Sequence, residues 1–438
     1  MKRKIIAVLL CMSMILPLMA CNTGGDLPQG TQANGSGDIY QADDTYNPDD
    51  ANIAAMNFSV GLLQTYANAT KEPGSGDANL LISPFSVYFA LGMLENGAKG
   101  ETLSELEDVL GLNPGQMNSF AKEYMNQIPE ELKIANSIWY TSHERFTVED
   151  AFVNSLEGYF DAEVYEAAFD NGTCEEINDW VADKTDDTIK EIISEIPADA
   201  VMYLINALAF EAEWEETYEE GQIRDGVFTV SEGIEQTVDM MYSEESYYIE
   251  DENAKGFIKY YDGREYAFVA LLPNEEMGVF NYIRSLTGED LLEMLENPVE
   301  VPVFACMPQF KIEDEVKLKD ILEEMGMSLV FDADSADLSG LGSSTAGNLY
   351  VDEVFHKTYI EVSPVGTKAG AATSVMIRDE SAVFHEEIKE VYLNRPFIYM
   401  IIDCDNNQPL FMGTVNSVDM LRCGVSDDLC GYPTENEF

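Results

Sequence analysis

The sequence predicts an α+β fold in a single domain with mostly antiparallel sheets. Helical spacing is concentrated early in the chain, long strand-like runs dominate later, and few strand–helix–strand alternations of the kind that build parallel sheets occur. Neither a repeat nor an internal linker interrupts the body. With 438 residues, 46% hydrophobic and 11% aromatic, the chain has material for a sizeable core.

Residues 51–69 carry helical spacing, and a second helix is expected around Ser86, after Ile82-Ser83-Pro84-Phe85. Thr102 reads as the N-cap of a third, with Glu105 three residues on as its capping-box partner. Residues 133–140 turn strand-like. A helix over 148–159 leads to a short strand at 164–169, then to an amphipathic helix over 174–193. Strands are expected next at 200–210, 257–261, 266–272, 301–311, 350–362, 397–403 and 410–415.

The N-terminal twenty residues have the form of an export signal: Lys2, Arg3 and Lys4 precede an apolar run over 5–16, too short for a stable membrane span. Leu18-Met19-Ala20-Cys21 resembles the bacterial lipobox, which implies cleavage before Cys21 and a lipid on its thiol; the other reading is an ordinary signal peptide with an incidental cysteine. The expected product is exported and lipid-anchored at the bacterial cell surface or membrane. Residues 22–50 are rich in Gly, Asp, Asn, Gln, Thr and Pro with little to bury, a tether whose span is about 30 Å. The expected organisation is signal 1–20, lipidated cysteine and tether 21–51, folded body 52–418 and tail 419–438.

Acidic residues number 81 against 24 Lys and Arg, a formal charge of −57. Such a surface repels phosphate backbones and sulfated polysaccharides, which excludes nucleic acid as a partner; a solvated coat accounts for the charge. Of seven cysteines, Cys423 and Cys430 are spaced for a local bridge, while Cys306 and Cys404 lie in apolar strand-like runs as buried thiols. No CxxC pair or Cys/His cluster is present, and the three histidines His143, His356 and His385 form no HExxH or two-His spacing, so neither a metal nor a cofactor is expected. No GxSxG elbow occurs either. His356, in an apolar strand pattern, is better explained as a hydrogen-bonded structural histidine than as a catalytic one, so a surface hydrolase has little support.

Several stretches together resemble the serpin family, the serine-protease-inhibitor fold. Residues 79–87 (NLLISPFSV) are similar to the entry of its second helix and residues 94–102 (LENGAKGET) to the stretch after it, and Ile177-Asn178-Asp179-Trp180-Val181 with Lys184-Thr185 is similar to the sheet-covering helix. Residues 204–210 (LINALAF) through Trp214 resemble the central strand that ends in tryptophan. Phe355-His356-Lys357-Thr358 and residues 366–373 (GTKAGAAT) resemble the strand and hinge before the reactive loop. Residues 394–401 (NRPFIYMI) and 409–416 (PLFMGTVN) resemble the closing strands. The match is collinear over about 52–418. It implies about eight or nine helices, three mostly antiparallel sheets and an exposed reactive-centre loop, in a monomer that is not an enzyme.

The resemblance also implies a mechanism. A protease cleaves the loop, the loop's N-terminal part inserts as an extra strand into a large sheet, and the acylated protease is carried along and distorted before water releases it. The stretch 364–384, PVGTKAGAATSVMIRDESAVF, fits that demand. Gly366 lets the backbone pivot without a Cβ penalty. From there the hinge Gly366, Thr367, Lys368, Ala369, Gly370, Ala371, Ala372 and Thr373 is small, with strand alternation. Thr367, Ala369, Ala371, Thr373, Val375 and Ile377 would face inward, and Val375 and Ile377 would each contribute about 1.5 to 3 kcal/mol on burial. Ladder hydrogen bonds add about 1 kcal/mol net apiece, so the sum reaches tens of kcal/mol before entropy. Lys368 and Pro364-Val365 stand where the family usually has acidic residues.

Counting fifteen residues inclusively from Gly366 makes Glu380-Ser381 the formal reactive-centre bond. It suits Glu-specific or subtilisin-like enzymes. The loop to Pro396 is longer than in many serpins, so Ala382-Val383, Val383-Phe384 and Phe384-His385 are alternatives for elastase-like or chymotrypsin-like enzymes; Arg378-Asp379 would suit trypsin-like ones but for the following acid. Cysteine proteases are further candidate targets. Ser83, Ser86, Asn206 and His356 resemble the polar cluster beneath the point where the sheet opens. The alternative function is a non-inhibitory serpin-fold binding module on the cell surface.

Overall fold

The computed structural model describes residues 41–43, 46–70, 78–128, 131–231, 233–367 and 388–418. Nine α-helices are present among them: α1 Pro48–Ala69, α2 Pro84–Glu95, α3 Gly100–Leu110, α4 Pro114–Met125, α5 Asp150–Phe160, α6 Asn171–Lys184, α7 Val279–Ser285, α8 Gly288–Glu296 and α9 Lys319–Met325. Their starts obey cap chemistry. Asn47 caps α1 ahead of Pro48, and Ser83 caps α2 ahead of Pro84 by accepting from the Ser86 amide. Asn113 and Gln116 form a reciprocal capping box on α4.

The first ten strands are β1 Leu80–Ile82, β2 Leu132–Thr141, β3 Phe146–Val148, β4 Glu163–Ala167, β5 Met202–Phe210, β6 Ala212–Glu213, β7 Ile223–Ser231, β8 Ile234–Glu250, β9 Ala254–Tyr260 and β10 Tyr266–Pro273. The remainder are β11 Val299–Pro308, β12 Phe310–Lys317, β13 Gly342–Ser344, β14 Phe355–Val362, β15 Gly366–Thr367, β16 Lys389–Tyr392, β17 Phe397–Asp403 and β18 Gln408–Val415. A nine-stranded sheet runs β1-β18-β17-β10-β9-β8-β11-β16, with β7 added on β8. Strands β10, β17 and β18 are buried along their whole length and form the centre of the core. Helix α2, almost wholly buried, adds Phe85 and Phe89, which pack on Phe120 and Tyr124 of α4.

Two smaller sheets build the region of the site: β4-β2-β5, and β12-β14-β15-β6. Helix α6 lies on the first, burying Ile177, Trp180 and Val181 against Trp139, Ile205 and Ala207 in a second, smaller core. The pairing is antiparallel throughout except β2 with β4 and β11 with β16. None of the helices among the described residues is long and apolar enough to cross a membrane.

Several boundaries differ from expectation. Thr102 is not a cap: α3 begins at Gly100, and the Thr102 hydroxyl accepts instead from the Asp337 amide while Glu105 accepts from the Leu329 amide. Tertiary contacts have recruited both members of the expected box. The helix expected over 174–193 stops at Lys184, where Asp186 and Asp187 adopt positive φ and Asn178 bonds the backbone of Ile192 and Ile193 as it folds back. The run 301–311 is two strands broken at Gln309 that enter different sheets, and the strand expected over 350–362 begins only at Phe355. Cys306 is buried as expected, whereas Cys404 is half-exposed at the β17–β18 turn. Cys423 and Cys430, the signal, Cys21 and the tether up to residue 40 lie outside the described residues.

Candidate functional site: the head of a divided sheet

Strand β5 rises through its sheet, passes Glu211 and continues as β6 to Trp214. Strand β14, which shares a sheet with β6, ends at Val362, and the chain turns at Ser363. That turn is closed by Ser363, whose amide (3.0 Å) and hydroxyl (2.9 Å) both donate to the Gly366 carbonyl. The chain then enters β15, which pairs antiparallel on both sides: Thr367 with Val362 of β14, and Gly366 and Thr367 with Glu213 and Ala212 of β6. The first two hinge residues therefore form a rung that links β14 to β6, the strand that continues the chain from β5, within one sheet. Among the described residues no pairing joins β5 directly to β14.

Gly366 has a reason to be glycine other than the expected pivot. Its φ is not positive, but a Cβ there would lie 2.1 Å from the Ala212 carbonyl oxygen and 2.7 Å from the Glu213 Cα. Close approach of two backbones demands the missing side chain. Thr367 is 2% exposed and points inward, where its hydroxyl shares a 2.6 Å hydrogen bond with the Tyr261 hydroxyl. Residues 368–373 of the hinge and the Glu380-Ser381 bond lie outside the described residues.

The ground around the rung is aromatic and dry. Trp214 stacks on Tyr261 at 4.5 Å and 13°, and its indole N–H donates to the Ser363 carbonyl at 2.8 Å. The backbone holds the pre-hinge segment: the Trp214 amide donates to the Val365 carbonyl and the Tyr218 amide to the Pro364 carbonyl, each at 2.9 Å. At Pro364-Val365, which lack the acidic side chains of the expected pattern, main-chain bonds supply the attachment. Beside it, Lys259 is 2% exposed, 3.0 Å from Glu245, donates to the Glu216 carbonyl at 3.2 Å and faces the rings of Trp214 and Tyr218. Tyr261, Lys259 and Glu245 carry no motif that marks them in the sequence; a lysine inside the apolar run 257–261 was the available signal.

Farther down, the structure brings Ser83, Ser86 and His356 together. The Ser83 amide donates to His356 Nε2 at 3.0 Å, the Ser83 hydroxyl donates to the Leu410 carbonyl at 2.7 Å, and the Ser86 amide donates to the Ser83 hydroxyl at 3.3 Å. His356 is buried, and desolvation holds its pKa down at about 4, so the ring is neutral and carries its proton on Nδ1. Asn206 is not hydrogen-bonded to this group: its amide donates to Asn136 directly opposite on β2, at 2.9 Å, and its Oδ1 has no donor among the described residues. Among the described residues, no group of His, Cys, Asp or Glu is arranged to hold a metal ion.

Comparison with known proteins places this geometry. The family model described as Serpin (serine protease inhibitor) matches residues 54–418. Human neuroserpin is 30% identical over 373 residues, covering 80% of this chain and 89% of its own. Among solved structures, the thermophilic serpin tengpin in its native state is 41% identical with a TM-score of 0.77, covering 86% of this chain and 97% of its own. Human thyroxine-binding globulin, 22% identical with a TM-score of 0.73 over 85% of this chain and 100% of its own, shares the fold.

Proposed function

This chain belongs to the serpin family, a family of protease inhibitors and not of enzymes, and on that premise we propose that it is a suicide-type inhibitor of serine proteases. The loop is cleaved at Glu380-Ser381 or a nearby bond, the acyl-enzyme forms, and the loop segment from Gly366 enters between β5/β6 and β14. The single observation that carries this reading is the rung made by Gly366 and Thr367, which already pairs antiparallel with β6 on one side and β14 on the other. By sequence alternation, Thr367, Ala369, Ala371 and Thr373 would share the inward face of an inserted strand, with no proline or charge among them. The protein acts as an exported monomer anchored through a lipid on Cys21, its tether holding the body clear of the bacterial surface, and its targets are elastase-like, subtilisin-like or Glu-specific proteases.

The test is incubation with subtilisin, elastase, chymotrypsin, trypsin and a glutamyl endopeptidase, then a denaturing gel and the mass of the released C-terminal peptide. The expected result is a covalent complex that survives denaturation, with the peptide mass giving the bond. Cleavage with no complex and full protease activity, across all five, would leave the non-inhibitory binding module as the reading.

A further inference from the structure

The Tyr261 hydroxyl meets the hinge at one atom. Its ring is 0% exposed, fixed by stacking on Trp214 and by an edge-on contact with Phe210 at 4.9 Å. A bridge pairs Trp214 with Tyr261 along the backbone. Trp214 in turn holds the Ser363–Gly366 turn, its indole N–H bonded to the Ser363 carbonyl and its amide to the Val365 carbonyl. The two stacked residues thus hold the hinge at two points, one through the turn and one through the Thr367 side chain.

If Thr367 left the rung, its own hydroxyl would find water, but that of Tyr261 would remain in an aromatic enclosure without a partner. That asymmetry favours the seated hinge. A strand that begins from a formed rung has already met the ordering cost of its first pair, so each later residue adds a ladder bond without a new closure.

We propose that Tyr261 is the positioning residue of the hinge, its hydroxyl holding Thr367 in the first rung so that insertion after cleavage propagates from that rung instead of nucleating one. This rests on the inhibitory reading above. The hydrogen bond would also set which face of an inserted strand turns inward: by strand alternation from Thr367, Ala369, Ala371, Thr373, Val375 and Ile377 would follow it on the same side.

The test uses Thr367→Val, Thr367→Ser, Tyr261→Phe and the Tyr261→Phe/Thr367→Val pair, with two readouts. The first is amide hydrogen exchange of the peptide containing residues 361–367 in uncleaved protein, where no protease is needed. Thr367→Val should speed exchange at the rung about five-fold or more, the factor that corresponds to one net hydrogen bond, and Thr367→Ser should restore it. The double variant, which orphans neither group, should exchange more slowly than the product of the two single effects. The second readout is the number of inhibitor molecules consumed per protease trapped, which should rise in the same order.

Exchange effects that multiply independently, or a rung whose exchange none of the variants changes, would overturn the proposal. The two readings fail separately. A wild-type protein that traps no protease refutes the inhibitory reading while the exchange cycle still decides the hydrogen bond; trapping with independent exchange effects refutes the positioning role alone.

Discussion

Glu95 closes α2 with its carboxyl 0% exposed, and neither carboxylate oxygen has a hydrogen-bond donor among the described residues. Burial, and then the nearby Glu107 charge, push its pKa well above the ordinary carboxylate range. The C-terminal end of a helix also disfavours an anion. Since the unfolded carboxyl gives up its proton near pH 4.5 and the folded one retains it, this residue withdraws stability as the pH rises above that value. Glu95→Gln is therefore expected to melt higher than the parent at pH 8, by about 2 to 6 °C, with the difference closing toward pH 4.5. Thermal melts of both proteins across that range check it; a difference independent of pH, or a less stable Gln variant at pH 8, would refute the account. The lysine at 259 is the opposite case, a buried charge fully matched by Glu245, the Glu216 carbonyl and two ring faces.

At the scale of elements, His356 couples β14 to the start of α2. Its Nε2 is the acceptor for the Ser83 amide, and Ser83 is 1% exposed, so removing the imidazole leaves a dry N–H and a void between strand and helix cap. His356→Ala should lower stability by roughly 2 to 4 kcal/mol at pH 7.5 in denaturant titrations. The pH dependence carries its own sign. With the folded value held down at about 4 against 6.5 for a free imidazole, the neutral ring's contribution is complete above pH 6.5 and is lost as pH falls through 4. The gap between the two proteins should narrow over that window; an unchanged melting temperature with unchanged inhibition, or a gap flat with pH, would remove His356 from this role.

Much of this element plan was legible. A helix start just after Ser83-Pro84-Phe85 and the strands β5, β10 and β17 are local patterns, and local patterns are what residue spacing reports. What was not legible depends on distant partners. Thr102 looks like a cap until Asp337 takes its hydroxyl, and the break at Gln309 has meaning only because β11 and β12 join different sheets. Strand β8 went unread because its 17 residues carry mixed polarity, its burial set by three different neighbours, β7, β9 and β11. The same holds at the site. Tyr261 and Thr367 are 106 residues apart in sequence, and nothing around either one names the other.

For the molecule as a whole, β5 and β14 stand in separate sheets among the described residues, and β15 ties β14 only to β6, the continuation of β5. A fold whose central pairing is unformed over β5 and β14 has hydrogen bonds and apolar burial still to gain, and the proposed function is the coupling of that gain to a protease's acyl bond. The acidic coat, 81 carboxylates against 24 basic side chains, bears on solubility and on which partners are repelled, not on this coupling.

The most direct test of that stored gain needs no target protease. The loop is nicked with any enzyme that cuts between residues 368 and 387, the nicked protein is purified with both fragments attached, and its melting temperature is compared with that of the intact protein. Insertion predicts a nicked form that melts at least about 20 °C higher, since tens of kcal/mol of new ladder and burial separate the two states. A nicked form that melts at or below the intact temperature would mean that the loop does not enter the sheet, and the central claim would be wrong.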